Sequence, residues 1–160
     1  MNDHPLDAGT LRLRVLLVDD DPWMLRIMKA SLPGAAVVTC TSGEEALRVL
    51  RSDVFDVVCS DLVMPGVRGE VVLHAAAEAR EETGLLLVTG LSDAAGLDDE
   101  GFEVLRKPFD PERFATLIGE LGERARTRGA GEGGASRAPD PTRGHPHGRP
   151  SMRAPQGGAR

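Results

Sequence analysis

Aromatic side chains are scarce in this chain of 160 residues, which has no tyrosine, one tryptophan and four phenylalanines. Their scarcity disfavours nucleic-acid modules that stack bases on aromatic rings, and it requires a core built mainly from aliphatic residues. No run of about 18 apolar residues occurs, and the first ten residues lack the basic start and apolar stretch of a signal peptide. We therefore expect a cytoplasmic protein with no insertion into a membrane.

Cysteine is also rare, and the two that are present lie in different parts of the chain. Cys40 and Cys59 both occur in apolar stretches typical of strands. A free thiol in such a place behaves as a small apolar group in a reducing compartment. The sequence therefore favours two buried free thiols over a disulfide or a metal-binding pair.

The charge is unevenly distributed along the chain. Residues 1–125 carry 12 basic and 23 acidic side chains, whereas residues 126–160 carry seven arginines against Glu132 and Asp140. The latter stretch is rich in Gly and Pro and has too little apolar surface to form a core. We predict a flexible N-terminus at 1–10, one domain at 11–124 and a disordered tail at 125–160. A solvated tail is favoured over one that contacts nucleic acid or an acidic partner.

Within 11–124, short apolar runs alternate with amphipathic stretches, which indicates an α/β fold with a parallel sheet covered by helices. The runs rich in Val and Leu predict five strands: Leu13–Val18, Ala36–Cys40, Val54–Ser60, Leu85–Thr89 and Phe102–Arg106.

Four amphipathic stretches predict helices, each with a recognisable start. The first begins at Pro22 and presents Met24, Ile27, Met28 and Leu32 to the core. The second begins with a capping box in which Ser42 and Glu45 bond each other's backbone. The third runs from Gly69 to Glu81, and the last begins at Asp110 and Pro111. The stretch 91–101 contains Gly96 and several acids, so any helix there is short or irregular.

Acidic residues stand where the first and third strands end. Asp19 and Asp20 follow the first strand, and Asp61 follows the third. Open α/β sheets place their sites at the carboxyl ends of strands. Clustered carboxylates repel one another and need a cation to neutralise them, and a ligand set made only of oxygens suggests Mg²⁺. The alternative is that each acid is merely a solvated loop residue or a helix cap, which is our interpretation of Asp21.

Two complementary groups follow the fourth and fifth strands. Thr89 supplies a hydroxyl and Lys107 an ammonium group, each a common residue if taken alone. Converging on one carboxylate, they would form a place for phosphoryl oxygens. The joint placement favours a phosphoryl-transfer site, whereas no Gly-rich nucleotide loop is present.

Four segments together resemble the response-regulator receiver domain of two-component phosphorelay systems, in its single-domain type. They are Val-Leu-Leu-Val-Asp-Asp (15–20), Ser-Asp-Leu-Val-Met-Pro-Gly-Val-Arg-Gly (60–69), Val-Thr-Gly (88–90) and Arg-Lys-Pro-Phe (106–109). The resemblance implies a doubly wound, flavodoxin-like sheet of strand order 2-1-3-4-5 and a cis bond between Lys107 and Pro108. It also implies a phosphoacceptor at Asp61, phosphoryl binding by Thr89 and Lys107, and Mg²⁺ ligands at Asp19, Asp20, Asp61 and the Val63 backbone carbonyl.

The chain departs from the receiver pattern at two points. Receivers usually carry an aromatic residue three positions before the lysine, where this chain has Val104. Phe102 is interpreted as core or edge packing. The interval between Thr89 and Lys107 is also short, which removes part of the fourth helix and puts the usual output geometry in doubt.

Three functions from different classes are compatible with these residues. The favoured one is a phosphoacceptor signalling protein, not an enzyme, that takes a phosphoryl group from a histidine kinase or phosphotransfer protein. Such a protein would have no DNA-binding domain of its own and would act on an unknown downstream protein. The second is a docking scaffold of receiver fold that no longer needs phosphate. The third is a metal-dependent phosphohydrolase, which would require an acid at the position of Val63.

Overall fold

A computed structural model describes residues 12–90 and 101–131 of the chain. The strands are β1 (Arg14–Val18), β2 (Ala36–Cys40), β3 (Val57–Asp61), β4 (Gly84–Thr89) and β5 (Glu103–Arg106). The helices are α1 (Pro22–Ala30), α2 (Gly43–Leu50), α3 (Gly69–Ala79) and α4 (Pro111–Gly131).

The strands form one parallel sheet of order β2-β1-β3-β4-β5, which confirms the predicted topology. Successive side chains of a strand point to opposite faces, so each interior strand supplies two cores. In β1, Val15 and Leu17 pack with α1 and α4, whereas Leu16 and Val18 pack with α2 and α3. The helices therefore cover both faces and leave the strand ends accessible.

The helix starts agree with the sequence except for one detail. Asp21 caps α1 by accepting a hydrogen bond from the Trp23 amide, which confirms its interpretation as a cap. Ser42 caps α2 through the Glu45 amide at 3.2 Å. The reciprocal half of the capping box was predicted wrongly, because the Glu45 carboxylate accepts from the Thr41 amide at 2.9 Å instead.

The buried face of α1 also differs from the prediction. Leu25, Met28 and Leu32 are buried, whereas Ile27 is 45% exposed. Leu25 and Met28 lie three residues apart and so define the face that meets the sheet. The error arose because both faces of this helix carry apolar residues.

Helix α4 continues past the predicted domain boundary at residue 124. Ala125 is 1% exposed, and the Arg126 guanidinium donates to Asp56 at 3.3 Å. The prediction of disorder from residue 125 was therefore wrong for 125–131, because a buried alanine and an ion pair extend the helix along the domain. The rest of the predicted tail lies outside the described residues.

Asp56, immediately before β3, joins three segments at the amino ends of the strands. Its carboxylate accepts from the Arg14 amide at 2.9 Å and from the Arg80 and Arg126 guanidinium groups at 3.2 and 3.3 Å. Burial raises the pKa of the Asp56 carboxyl, but these hydrogen bonds and charges outweigh it and hold the pKa below its ordinary value. We call these four residues the Asp56 cluster.

Both cysteines are free and buried, as predicted. Burial, with a smaller effect of the Glu45 charge, raises the pKa of the Cys40 thiol to about 11, so that thiol stays protonated at neutral pH.

Parts of three predictions fall outside the described residues. They are the flexible N-terminus at 1–10, nearly all of the irregular segment at 91–101, and the tail from 132 onward. Among the helices that the structure does describe, none combines the length and the apolar character needed to cross a membrane.

Candidate functional site

The predicted site residues meet at the carboxyl edge of the sheet. Asp61 and Thr89 are the last residues of β3 and β4, and Asp19 and Lys107 directly follow β1 and β5. Because neighbouring strands are parallel and in register, their carboxyl ends lie at one edge. Asp19, Asp61 and Thr89 are buried there, whereas Asp20 is exposed.

Lys107 connects the two buried acids. Its Nζ donates to Asp19 Oδ2 at 2.9 Å and to Asp61 Oδ1 at 3.0 Å. The backbone supports this position, since the Lys107 amide donates to the Thr89 carbonyl at 2.7 Å. The peptide bond between Lys107 and Pro108 is cis, as the resemblance implies. The structure thus holds one ammonium group between two carboxylates that are 42 residues apart in sequence.

The pKa values of Asp61 and Lys107 reflect both their burial and their contact with each other. Burial raises the pKa of the Asp61 carboxyl, the Lys107 hydrogen bond and charge oppose that rise, and the charges of Asp19 and Asp20 add to it. Burial alone would lower the pKa of Lys107, but hydrogen bonds to Asp19 and Asp61 outweigh it and hold the pKa above its ordinary value. One ammonium group therefore leaves the acids incompletely neutralised.

The three carboxylates form a group with the chemistry of a divalent cation site. Ligand oxygens of Asp19, Asp20 and Asp61 lie within 4.8 Å of one another. Three acids facing one lysine leave a surplus of negative charge, and an all-oxygen donor set suits a hard cation. The residues present therefore fit such an ion. Val63 lies two positions after Asp61 in the loop that follows β3, and its side chain is 54% exposed.

The Thr89 hydroxyl is bonded to the backbone of the next residue in this structure. Its Oγ1 donates to the Gly90 carbonyl at 3.3 Å, and the side chain is fully buried. In the register of β4 and β5, Thr89 pairs with Arg106 and Leu87 with Val104. Val104 therefore lies beside the residue two positions before Thr89, toward the amino end of the strands. Phe102, immediately before β5, is buried and contacts the His74 ring edge-on, which confirms that it is a packing residue.

Two glycines allow close approaches that the sequence did not disclose. A Cβ atom on Gly69 would overlap the Asp61 carbonyl oxygen, so only glycine lets α3 begin directly against the end of β3. Gly43, at the start of α2, is equally crowded by Val67 of the loop after β3. The glycines themselves are a signal of close approach, but their partners could not be inferred from local sequence.

The contact between Glu44 and the loop after β3 was also not recognised from the sequence. Its Oε1 accepts from the Val67 amide at 3.1 Å, so α2 contacts the loop that follows the Asp61 strand. The acid lies 23 positions from Val67, and no local pattern indicates this pairing.

Comparisons with known proteins agree with this arrangement. A sequence model of the family described as response regulator receiver domain matches residues 15–119. The chain is 33% identical over 113 residues to the probable transcriptional regulator ycf27 of Guillardia theta, covering 66% of this chain and 43% of that protein. It is 32% identical to the transcriptional regulatory protein GlrR of Escherichia coli, covering 69% of this chain and 26% of that protein.

Among solved structures, a response regulator receiver domain protein from Clostridium thermocellum superposes with a TM-score of 0.67 and 27% identity. The match covers 72% of this chain and 98% of that one. The chain thus spans less than half the length of the curated regulators above, but nearly all of the solved receiver. The chain belongs to the response-regulator receiver domain family.

Proposed function

We propose that this protein is a phosphoacceptor of two-component signalling that receives a phosphoryl group on Asp61. The observation that supports this most strongly is the position of Lys107, which contacts both Asp19 and Asp61 at the carboxyl edge of the sheet. A cation beside a buried nucleophilic carboxylate is what transfer of a charged phosphoryl group requires. The donor would be phosphohistidine on a histidine kinase or phosphotransfer protein.

In the transfer, an Asp61 carboxylate oxygen forms a bond to phosphorus as the bond from phosphorus to the histidine nitrogen breaks. The imidazole leaves with the electron pair of that bond, and Asp61 becomes an acyl phosphate. Lys107 Nζ, which lies 3.0 Å from Asp61 Oδ1, is placed to contact a phosphoryl oxygen. The Thr89 hydroxyl would exchange its bond to the Gly90 carbonyl for another phosphoryl oxygen.

Receiver domains bind Mg²⁺ through an acidic pocket, and the Asp19, Asp20 and Asp61 cluster is the corresponding feature of this chain. We assign the ligands to these three carboxylates and the Val63 backbone carbonyl. When bound, the ion would offset charge on the phosphoryl oxygens and on the crowded carboxylates. Asp19 is held for this task by Lys107 and by the Asp21 amide, which donates to its Oδ1 at 2.8 Å.

The protein would catalyse at most its own phosphorylation and dephosphorylation, and would signal by contact with an unknown downstream protein. Val63, two positions after Asp61, is apolar and half exposed, so it offers no side-chain group to orient a hydrolytic water. A stable acyl phosphate serves such signalling, because the partner must bind before the phosphate is lost.

The proposal is tested by incubating the protein with histidine-phosphorylated kinase and Mg²⁺ and following transfer of the label. We expect transfer to the wild-type chain and none to the Asp61→Ala variant. Asp21→Ala is the matched control, since the Asp21 side chain caps α1 and the substitution keeps the backbone amide that donates to Asp19. Equal labelling of wild type and Asp61→Ala would refute Asp61 as acceptor.

A further inference from the structure

The loop that connects β3 to α3, residues 62–68, is fixed at its two ends by backbone hydrogen bonds. The Leu62 amide donates to the Val88 carbonyl at 2.9 Å, and the Gly69 amide donates to the Leu62 carbonyl at 3.1 Å. Met64 is buried in the core, but the Val63 side chain is 54% exposed. Packing of its own side chain therefore does little to fix the Val63 carbonyl, the proposed metal ligand.

The second half of the 62–68 loop is held by α2. Glu44, in the first turn of α2, accepts the Val67 amide at 3.1 Å. Gly66 has a φ of +77°, and a Cβ atom there would overlap Glu44 Oε1. On the other side, a Cβ atom on Gly43 would lie 2.5 Å from the Val67 carbonyl oxygen. The first turn of α2 and the 62–68 loop thus approach each other closely at two glycines, Gly43 and Gly66, where no side chain intervenes.

We propose that Glu44 is a positioning residue of the phosphoacceptor site. Its carboxylate binds the Val67 amide, holds the 62–68 loop in one conformation and so sets the place of the Val63 carbonyl beside Asp61. Glu44 is not part of the carboxylate cluster at Asp19, Asp20 and Asp61, and it acts only through the loop. The inference rests on the proposed function, since it concerns the Mg²⁺ ligand set of that site.

The physical reason is preorganisation. A loop already held in its binding conformation loses less conformational freedom when its carbonyl binds a cation. Groups that orient metal ligands without touching the metal typically change affinity about 10- to 100-fold. Because the Glu44 carboxylate is exposed to solvent, the lower end of that range, about 10-fold, is expected here.

Three variants separate the hydrogen bond from charge and from helix stability. Glu44→Ala removes the acceptor. Glu44→Gln keeps an oxygen that can accept the Val67 amide but removes the negative charge. Glu45→Ala is the matched control, because Glu45 is the next residue of the same helix and its carboxylate contacts Thr41, not the loop.

The measurement is a Mg²⁺ titration of the ¹⁵N-labelled full chain by NMR, with hydrogen exchange of the Val67 amide recorded before metal is added. We expect Glu44→Ala to speed exchange of that amide and to weaken Mg²⁺ binding by about 10-fold. Glu44→Gln should rescue both readouts to near the wild-type values. Glu45→Ala should leave both unchanged even where it lowers the melting temperature.

Two results would overturn the inference while leaving the proposed function intact. One is Glu44→Ala binding Mg²⁺ as tightly as a wild type that accepts phosphate normally. The other is Glu44→Gln binding as weakly as Glu44→Ala, which would show an effect of charge and not of loop position. A wild type that neither binds Mg²⁺ nor takes phosphate would instead refute the proposed function and this inference with it.

Discussion

The Asp56 cluster gives the most specific test of how this fold is stabilised. Asp56→Ala removes a carboxylate that accepts one backbone amide and two guanidinium groups. The side chains of Arg80 and Arg126 are 26% and 37% exposed, so water can replace the carboxylate at both. We therefore assign about 1 kcal/mol to each of the three contacts, and about 3 kcal/mol to the set.

For a domain of this size, about 3 kcal/mol corresponds to a loss of about 10 °C in melting temperature. Arg126→Ala removes one of the contacts and should lower the unfolding free energy by about 1 kcal/mol. Arg128→Ala is the control, since Arg128 lies on the exposed side of the same helix and should change stability by less than about 0.5 kcal/mol. The assay is urea unfolding of the full chain followed by circular dichroism.

The stabilisation by Asp56 must also depend on pH. Because the folded state holds the pKa of this carboxyl below its ordinary value of 3.8, the stabilisation is complete above that value and is lost as the pH falls through the lower folded-state pKa. The difference in unfolding free energy between wild type and Asp56→Ala should therefore shrink in acid. A constant difference down to low pH, or an Arg128→Ala variant as unstable as Arg126→Ala, would show that the Asp56 cluster does not stabilise the fold through its ionised carboxylate.

Three further predictions concern the site. Gly69→Ala forces a Cβ atom onto the Asp61 carbonyl oxygen. It should lower the unfolding free energy by about 3 kcal/mol, measured by urea unfolding, and slow phosphorylation, measured by labelling. Lys107→Met leaves buried Asp19 without its counter-ion, so a bound Mg²⁺ would have more uncompensated charge to neutralise. Mg²⁺ should therefore raise the melting temperature more in the variant than in wild type, and an equal rise would contradict this. Because apolar Val63 offers no group to orient a hydrolytic water, the isolated phosphoprotein should keep its phosphate for minutes or longer; decay within seconds by mass spectrometry would contradict that.

The order of the sheet and the meeting of the site residues could be predicted because short-range signals carry them. Apolar runs ended by Asp19, Asp61 and Thr89 mark strands and, in a parallel sheet, necessarily bring their carboxyl ends to one edge. The cis bond before Pro108 and the order of strands came from the resemblance and not from periodicity. No local signal would have given either.

The features that were missed depend on partners distant in sequence. Arg126 extends α4 because it meets Asp56, which is 70 positions away, and composition alone placed it in a disordered tail. The role of Glu44 was not recognised, because its partner Val67 belongs to another element. Ile27 was placed on the wrong face, since a periodic pattern does not choose between two apolar faces when the sheet position is unknown.

Whether Asp61 accepts a phosphoryl group can be decided by intact mass measurement. The purified protein and its Asp61→Ala variant are incubated with a small-molecule phosphodonor, with and without Mg²⁺. We expect a gain of a single phosphoryl group that requires Mg²⁺ and is absent from the variant. No gain in the wild type would contradict a phosphoacceptor role for Asp61 and would instead favour a receiver fold that docks its partner without phosphate.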